Sequence, residues 1–369
     1  ARICETIEIE GETLPFRPVS VMLGKSVNNG WGGYNCCWAR TVLCTLVGSL
    51  EVPGGTLGTA VKLNRPADNR RKSATPGPDG FMHYPFNETS KEGWQKDPKI
   101  RNGYNTLVPL AANSPWSAAL GPAHLPWLFQ KQQPANWPKQ TNPDMWICYR
   151  TNPSISHWNG PEIAKRIAEF PFTVAFAYTD DETNHMADIL LPEATDLEGL
   201  QLIRIGGTKF VQQYWKHQGW AIRQPVAEPV TDIMDMTDIA TELAKRVGIL
   251  EEYNSAINRG AAGQRLTKDE FDYGLDPTVP HSRDEIWDAV AKAASHELSD
   301  GEEIHDLEWF KENSHMLAPF SQLEWYLYPA LKSQGMRFEL PYQERIKRHG
   351  TQLSNRLHEQ GIEWWDAQL

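Results

Sequence analysis

The pattern of apolar residues predicts a strand, a turn and a helix near the start of the chain. An apolar run predicts a buried strand over residues 17–24, and a polar, glycine-rich turn follows at residues 25–33. A helix is predicted over about residues 34–50, with its stop at residues 53–55, where a proline precedes two glycines. Its apolar positions at helical spacing are Val42, Leu43, Leu46, Val47 and Leu50.

A second periodic region begins at Asp144. Short apolar strands are predicted at residues 145–149, 172–177 and 188–192. A polar turn at residues 150–156 precedes a helix that is capped near Asn159, has Pro161 at its first position and ends by Phe170. The turn at residues 180–183 leads into a short helix through Met186. Alternating strands and helices predict an α/β fold with doubly wound parallel sheets, which bind ligands beyond the carboxyl ends of the strands.

Two further helices are marked by their caps. One spans about residues 238–247, with Asp235 or Thr237 as its cap and Gly248 as its stop. The other begins at Ser282, where Glu285 completes a capping box. Its inner face would consist of Ile286, Trp287, Val290 and Ala294. The remainder of the chain, to Leu369, shows no clear pattern.

A long insertion separates the two periodic regions. Residues 60–140 show little periodicity. The chain has 15 tryptophans and 26 prolines, and both residue types are concentrated between Trp94 and Trp158. We predict long ordered loops there, with short helices near residues 115–120 and 126–130.

Composition and charge exclude several classes of protein. A formal net charge of −11 argues against a general nucleic-acid binder, which needs surplus lysine and arginine. No run of about 18 apolar residues is present, so direct membrane insertion is not expected. The five cysteines form no C-x-x-C pair, which leaves no zinc ribbon or iron–sulfur motif. An NAD-dependent dehydrogenase is disfavoured because no G-x-G-x-x-G follows a predicted strand.

Polar residues at the predicted strand ends are candidates for nucleotide binding. The glycine-rich turn after Gly24 would place main-chain N–H groups and a helix N-terminus near an anion, although many such turns bind nothing. Asn152 and Ser156 follow one strand, and Glu182 and Thr183 follow the next, so we expect these four side chains to cluster. They could bind a guanine edge or a ribose hydroxyl. An ordinary turn at Asn152 is the alternative.

Three stretches, in this order and spacing, resemble the dimethyl-sulfoxide-reductase family. The first is the opening strand and Gly24 turn, followed by a helix and residues 53–55. The second is Asn152-Pro153-x-x-Ser156. The third is the segment from Glu182 to Pro192, with Glu198-Gly199 after it. The match is good over residues 17–58 and 144–250 and weak elsewhere.

The resemblance implies a bis-molybdopterin guanine dinucleotide cofactor that carries molybdenum or tungsten. Residues 1–58 would end one α/β nucleotide-binding domain, 59–143 would be the insertion, 144–250 the second nucleotide-binding domain and 251–369 a helical and irregular extension. A 4Fe-4S cluster and the protein ligand of the metal would lie outside this span, so we interpret the chain as a piece that is inactive and poorly stable alone. The residues implied in cofactor binding are Gly24, Lys25, Asn29, Asn152, Pro153, Ser156, Asp181, Glu182, Thr183 and Asp188.

One position departs from the family pattern. Many members have an aspartate at the strand end where this chain has Ala177, and that aspartate contacts the nucleotide. Asp180 or Asp181 could substitute for it, or the contact could be lost. Helix-to-strand capping or a buried hydrogen bond is the alternative role for Asp188, and a surface position is expected for His185.

The resemblance also implies an electron-transfer function. The partners would be an iron–sulfur subunit and a membrane-anchor subunit. The protein would be cytoplasmic or held at a membrane by these partners, and a periplasmic location is the alternative. The stretch at residues 223–229 resembles the branch that includes arsenate, tetrathionate and polysulfide reductases and phenylacetyl-CoA:acceptor oxidoreductase. The aromatic insertion favours an aromatic CoA thioester as substrate, although aromatic loops are also plain packing. Reduction of arsenate, tetrathionate or polysulfide is the alternative. A non-catalytic scaffold that lost the metal is the third hypothesis.

Overall fold

The computed structural model describes eight segments of the chain. They are residues 5–21, 33–56, 75–76, 82–83, 144–156, 160–205, 216–229 and 233–326. The chain divides into two compact units. The first unit consists of Ala1–Gly58, Ala67–Leu190 and Tyr326–Leu369, and the second of Thr59–Pro66 and Leu191–Trp325.

The first unit opens with a hairpin that the sequence pattern did not predict. Strands β1 (Glu5–Ile9) and β2 (Glu12–Phe16) pair antiparallel. Glu10 and Gly11 between them have φ values of 50° and 81°, the positive values that a tight two-residue hairpin turn requires.

The prediction of a strand over residues 17–24 is wrong for residues 17–21, the part of this range that the structure describes. Residues 17–21 form no strand, and Val19 and Val21 are 51% and 39% exposed. The main chain is bound by a loop instead of a neighbouring strand. Arg17 N donates to the Pro53 carbonyl oxygen at 3.0 Å, and Val21 N donates to the Thr56 hydroxyl at 3.0 Å. Residues 22–24 lie outside the described residues.

Helix α1 (Gly33–Leu46) confirms the first predicted helix but ends earlier than expected. Gly48, with φ 69°, donates to the Thr45 carbonyl at 3.0 Å, and Ser49 N donates to the Cys44 carbonyl at 2.8 Å. These two bonds form a glycine-based C-terminal cap well before residues 53–55. The predicted apolar face is also largely exposed, with Leu43 at 54% and Leu46 at 75%, whereas Cys44 is buried.

The insertion contributes two short paired strands to the described residues. They are β3 (Thr75–Pro76) and β4 (Met82–His83), which run antiparallel. The helices predicted near residues 115–120 and 126–130 lie outside the described residues.

A three-stranded sheet confirms the strands predicted between residues 144 and 192. Its order is β5 (Trp146–Tyr149), β6 (Thr173–Ala177) and β7 (Ile189–Pro192). Strands β5 and β6 are parallel, with Trp146 opposite Thr173. Between them lie a short helix, α2 (Pro153–Ser156), and the predicted helix, α3 (Gly160–Ile167).

Helix α3 covers one face of this sheet. Its Ile163 and Ile167 are fully buried and pack with Phe170, Trp146 and Met186. The rings of Trp146 and Phe170 stack with their centroids 5.5 Å apart. The β5–α3–β6 crossover therefore fixes which strand ends lie side by side.

The second unit is built around an antiparallel sheet and a long buried helix. The sheet order is β12 (His315–Pro319), β9 (His217–Arg223) and β8 (Gln201–Ile205). The other elements are α4 (Met236–Val247), α5 (Leu250–Asn258), β10 (Thr267–Lys268), β11 (Phe271–Asp272), α6 (Arg283–Leu298) and α7 (Leu307–Asn313).

Both helices predicted from their caps are confirmed. Asp235 accepts a hydrogen bond from Thr237 N at the start of α4, and Gly248 ends that helix with φ 78°. Ser282 and Glu285 form the expected capping box at α6. The inner face of α6 is buried as predicted, and it packs with Trp220 and Phe310 in one hydrophobic core.

The architecture is therefore mixed α/β, with the parallel pair β5–β6 and several antiparallel pairs. The mixed α/β class is confirmed. The doubly wound arrangement and the four domains drawn from the sequence stay predictions.

Candidate functional site

Four polar residues meet where the parallel strands β5 and β6 end. Asn152 and Ser154 follow β5, and Glu182 and Thr183 follow β6; we call these residues the Asn152 cluster. The Asn152 amide donates to the Glu182 carboxylate at 2.7 Å, and its side-chain oxygen accepts from the Thr183 hydroxyl at 2.7 Å. The contact between the two turns that the sequence predicts is confirmed.

The Thr183 hydroxyl is the buried centre of this cluster. Thr183 is 1% exposed, and its hydroxyl hydrogen-bonds the Ser154 hydroxyl at 2.9 Å. The same oxygen accepts from Ser154 N at 3.1 Å. Because donor and acceptor capacities are both used, this side chain holds the two turns together and is not free to bind a ligand by itself.

Asp181 shapes the turn that carries Glu182 and Thr183. One oxygen of its carboxylate accepts from Thr183 N and from Asn184 N, both at 2.9 Å. The Asn184 amide in turn donates to the Thr179 carbonyl at 2.9 Å. These bonds lead into the short 3-10 helix Asn184–Met186 that the sequence predicts. The turn is therefore set by its own side chains.

Glu182 is the solvent-facing acid of the cluster. Its side chain is exposed, and the hydrogen bond from Asn152 lowers the pKa of the Glu182 carboxyl below its ordinary value of 4.5. The carboxylate is therefore ionised at neutral pH, and an ionised carboxylate only accepts hydrogen bonds. It can accept from the N–H groups of a guanine edge or from ribose hydroxyls.

The other predicted site residues are placed as follows. Pro153 is buried in α2, and Ser156, at the end of α2, is exposed and donates its N–H to the Asn152 carbonyl at 3.0 Å.

Asp188 is not brought to the cluster. Its carboxylate accepts from Thr173 N at 2.7 Å, at the amino end of β6; the hydrogen bond of the alternative is present, but Asp188 is exposed and not buried. Gly24, Lys25 and Asn29 lie outside the described residues.

The strand end where many family members have aspartate has a different environment here. Ala177 is 8% exposed at the end of β6. Asp181 already caps the following turn, whereas Asp180 is exposed, with its carboxylate 3.9 Å from His185 Nδ1. His185 is 82% exposed, as expected for a surface histidine. Of the two proposed substitutes, Asp180 has the more accessible carboxylate.

Arg150 is a charged residue at this edge that the sequence analysis did not single out. It lies at the same edge, directly after β5, and its main chain has φ 46°. Its guanidinium carbon is 5.6 Å from the centroid of the Tyr149 ring and 5.5 Å from that of Tyr178. The available signal was an arginine beside a tyrosine at a predicted strand end, and the contact with Tyr178 depends on the tertiary structure.

Metal ligation has no support in the described residues. Within the eight described segments, no group of three or more histidine, cysteine, aspartate or glutamate side chains is placed to hold a metal ion. Cys148 lies on β5 and is 2% exposed, and burial raises the pKa of its thiol to about 11. That thiol is protonated at neutral pH, and the thiolate is the form that binds metals.

No helix of the described segments is long and apolar enough to cross a bilayer.

Comparison with known proteins gives one curated relative to report. No protein-family model matches the chain. The trimethylamine-N-oxide reductase of Haemophilus influenzae is 25% identical over 260 residues, which cover 69% of this chain. The aligned part spans 29% of that reductase, so the chain corresponds to less than a third of its length.

Proposed function

The similarity to trimethylamine-N-oxide reductase supports the dimethyl-sulfoxide-reductase family for this chain, and from that premise we propose that it is part of the catalytic subunit of a molybdenum-dependent oxidoreductase. The Asn152 cluster is the observation that carries the proposal. It places an exposed carboxylate and an amide at the carboxyl edge of a parallel strand pair, where α/β sheets bind nucleotides.

The donor set of this edge fits the guanosine part of a pterin guanine dinucleotide. Guanine presents two N–H donor groups side by side, and a carboxylate is the acceptor that matches them. Glu182 offers such a carboxylate, and Asn152 and Thr183 hold its turn in place. Asp180 offers a second exposed carboxylate for a ribose hydroxyl. Gly24, Lys25 and Asn29 would bind a second nucleotide, with the N–H groups of their turn near its anionic part.

Asp188 is left out of this proposal. Its carboxylate hydrogen-bonds the main chain at the amino end of β6, away from the edge that holds the Asn152 cluster. The doubly wound form of the two nucleotide-binding domains is retained, because a parallel β5–α3–β6 crossover is the unit from which such sheets are built.

The bound cofactor would supply oxygen-atom or hydroxyl transfer, or paired transfer of electrons and protons, at molybdenum or tungsten. The residues described here would only bind and orient its nucleotide. Electrons would pass through a 4Fe-4S cluster outside this span to an iron–sulfur partner subunit, which a membrane-anchor subunit could hold at a bilayer. For the substrate we retain an aromatic CoA thioester, which rests on the Trp- and Pro-rich composition of the insertion.

Metal and nucleotide analysis of the native assembly tests this function. We expect molybdenum or tungsten in the purified assembly and release of GMP on acid treatment. Finding neither molybdenum or tungsten nor GMP in active, purified material would overturn the proposal. Asn152→Ala should reduce the GMP released per chain, because Glu182 would lose the donor that orients it. Asn313→Ala is the matched control, since the Asn313 amide donates to the Trp309 carbonyl in the second unit.

A further inference from the structure

The carboxyl edge of β5 and β6 carries a cation on an aromatic platform. Arg150 lies with its guanidinium carbon 5.6 Å and 5.5 Å from the ring centroids of Tyr149 and Tyr178. The two tyrosines are 44% and 55% exposed, so the platform faces solvent. Contacts of this kind stabilise a guanidinium electrostatically and limit the orientations that it samples.

The main chain of Arg150 is held in an uncommon conformation. Its φ of 46° lies in the left-handed region, which costs a non-glycine residue about 1 kcal/mol. The Arg150 N–H donates to the Phe176 carbonyl at 3.2 Å, which ties the residue to the end of β6. Non-glycine residues in this conformation cluster at ligand-binding sites, where the surrounding structure maintains them.

Stacking on the tyrosine rings uses the flat face of the Arg150 guanidinium. The N–H donors lie along its edge, in the geometry that suits two oxygens of one phosphate. The guanidinium stays charged at any pH at which the protein is folded. Arg150 therefore has the chemistry of a phosphate ligand.

The described residues that follow β5 and β6 offer one side chain with a permanent positive charge. In the described segments that follow β5 and β6, residues 150–156 and 178–186, Arg150 is the only lysine or arginine. The Asn152 cluster instead presents the ionised Glu182 carboxylate, which repels a phosphate. A nucleotide bound by Glu182 through its base thus needs a separate positive group for its phosphates.

We propose that Arg150, held over Tyr149 and Tyr178, binds the diphosphate of the nucleotide whose guanosine part is bound by the Asn152 cluster. This inference rests on the proposed function and names the residue that separates the phosphate side of the site from its base side. The separation of charge along the edge, with Arg150 cationic and Glu182 anionic, fixes the direction in which the nucleotide lies.

Equilibrium dialysis of the full 369-residue chain against GDP, guanosine and pyrophosphate tests the inference. The unmodified chain should bind GDP more tightly than guanosine. Arg150→Gln should weaken GDP binding about 10- to 100-fold, the range for one charged hydrogen-bonding pair, and leave guanosine binding unchanged. Arg150→Gly should do the same while relieving the positive φ, so a folding defect would not explain both results.

Further variants separate stacking from charge. Tyr178→Phe keeps the ring under the guanidinium and should retain GDP affinity, whereas Tyr178→Ala should weaken it. Arg166→Gln removes the same charge from α3, where Arg166 pairs with Glu169 at 2.8 Å, and should leave GDP affinity unchanged.

Each outcome decides one of the two proposals. Equal GDP affinity in the unmodified chain and both Arg150 variants would overturn the role of Arg150 and leave the guanosine site standing. Arg150-dependent binding of pyrophosphate and GDP without any binding of guanosine would support the role of Arg150 and overturn guanosine recognition. A chain that shows a cooperative urea transition, and is therefore folded, but binds none of the three ligands would overturn both.

Discussion

The Thr183 hydroxyl donates a hydrogen bond to the side-chain oxygen of Asn152 at 2.7 Å, and this bond joins the segments that follow two neighbouring parallel strands. The Thr183 hydroxyl also hydrogen-bonds the Ser154 hydroxyl and accepts a hydrogen bond from Ser154 N. The residues that we propose to bind a nucleotide are thus held in place by a buried polar network before any ligand arrives, which lowers the entropic cost of binding.

Thr183→Val should destabilise the chain by about 1–3 kcal/mol, because valine keeps the shape of the side chain but leaves Asn152 and Ser154 without their buried partner. Urea denaturation measures the loss. Thr183→Ser retains the hydroxyl and should lose less. Thr179→Val, at an exposed threonine of the same turn, is the matched control. Equal stability of the Thr183→Val and unmodified chains would show that the network contributes nothing.

Asn152→Ala should raise the pKa of Glu182 toward its ordinary value of 4.5, because the hydrogen bond from Asn152 is the main cause of the lowered pKa. A carboxyl whose pKa is lowered by folding adds stability above its unfolded pKa and loses it as the pH falls through the folded pKa. Carbon-13 NMR of the Glu182 carboxyl across pH 2–7 measures the shift directly. An unchanged titration in Asn152→Ala would contradict the assignment.

Cys148 should resist thiol reagents in the folded chain, because burial raises the pKa of its thiol from 9.0 to about 11. Cys36, which is exposed, should react first. A thiol whose pKa is raised by folding ionises first in the unfolded chain, so stability should fall as the pH rises from about 9 to about 11. Peptide mapping after alkylation at pH 8 and urea denaturation of Cys148→Ala across that pH range test both statements. Rapid labelling of Cys148 in the folded state would refute them.

Asn254→Ala should destabilise the second unit by at least about 2 kcal/mol. Asn254 on α5 is fully buried, and its amide donates to the main-chain carbonyls of Pro277 at 3.1 Å and Val279 at 2.8 Å. Alanine would leave those carbonyls without this donor. Thermal unfolding measures the loss, with Asn313→Ala in exposed surroundings as the control. A change below about 0.5 kcal/mol would mean that water replaces the amide.

Elements with strong local patterns could be predicted from the sequence. Ser282 and Glu285 specify the start of α6 through their own side chains, and Gly248 specifies the end of α4. The contact between Asn152 and Thr183 also followed from the sequence, because the carboxyl ends of parallel strands lie at one edge.

Elements that depend on distant partners could not be predicted. The apolar residues Val19 and Val21 suggested a strand, but no local feature shows that Thr56 binds this segment in place of a neighbouring strand. Asp188 stands in a matched stretch, yet only the tertiary structure places it beside Thr173. Tyr178 and Arg150 are likewise brought together by the pairing of β5 and β6.

The order of strands in the second unit has a consequence for biosynthesis. The central strand β9 pairs with β8 just before it in the chain and with β12 far after it, where Trp220 lies opposite Met316. On the ribosome, the β8–β9 hairpin emerges while β12 has yet to be translated. Its unpaired edge is then open to wrong partners, so a chaperone that shields nascent strands should raise the yield of folded protein.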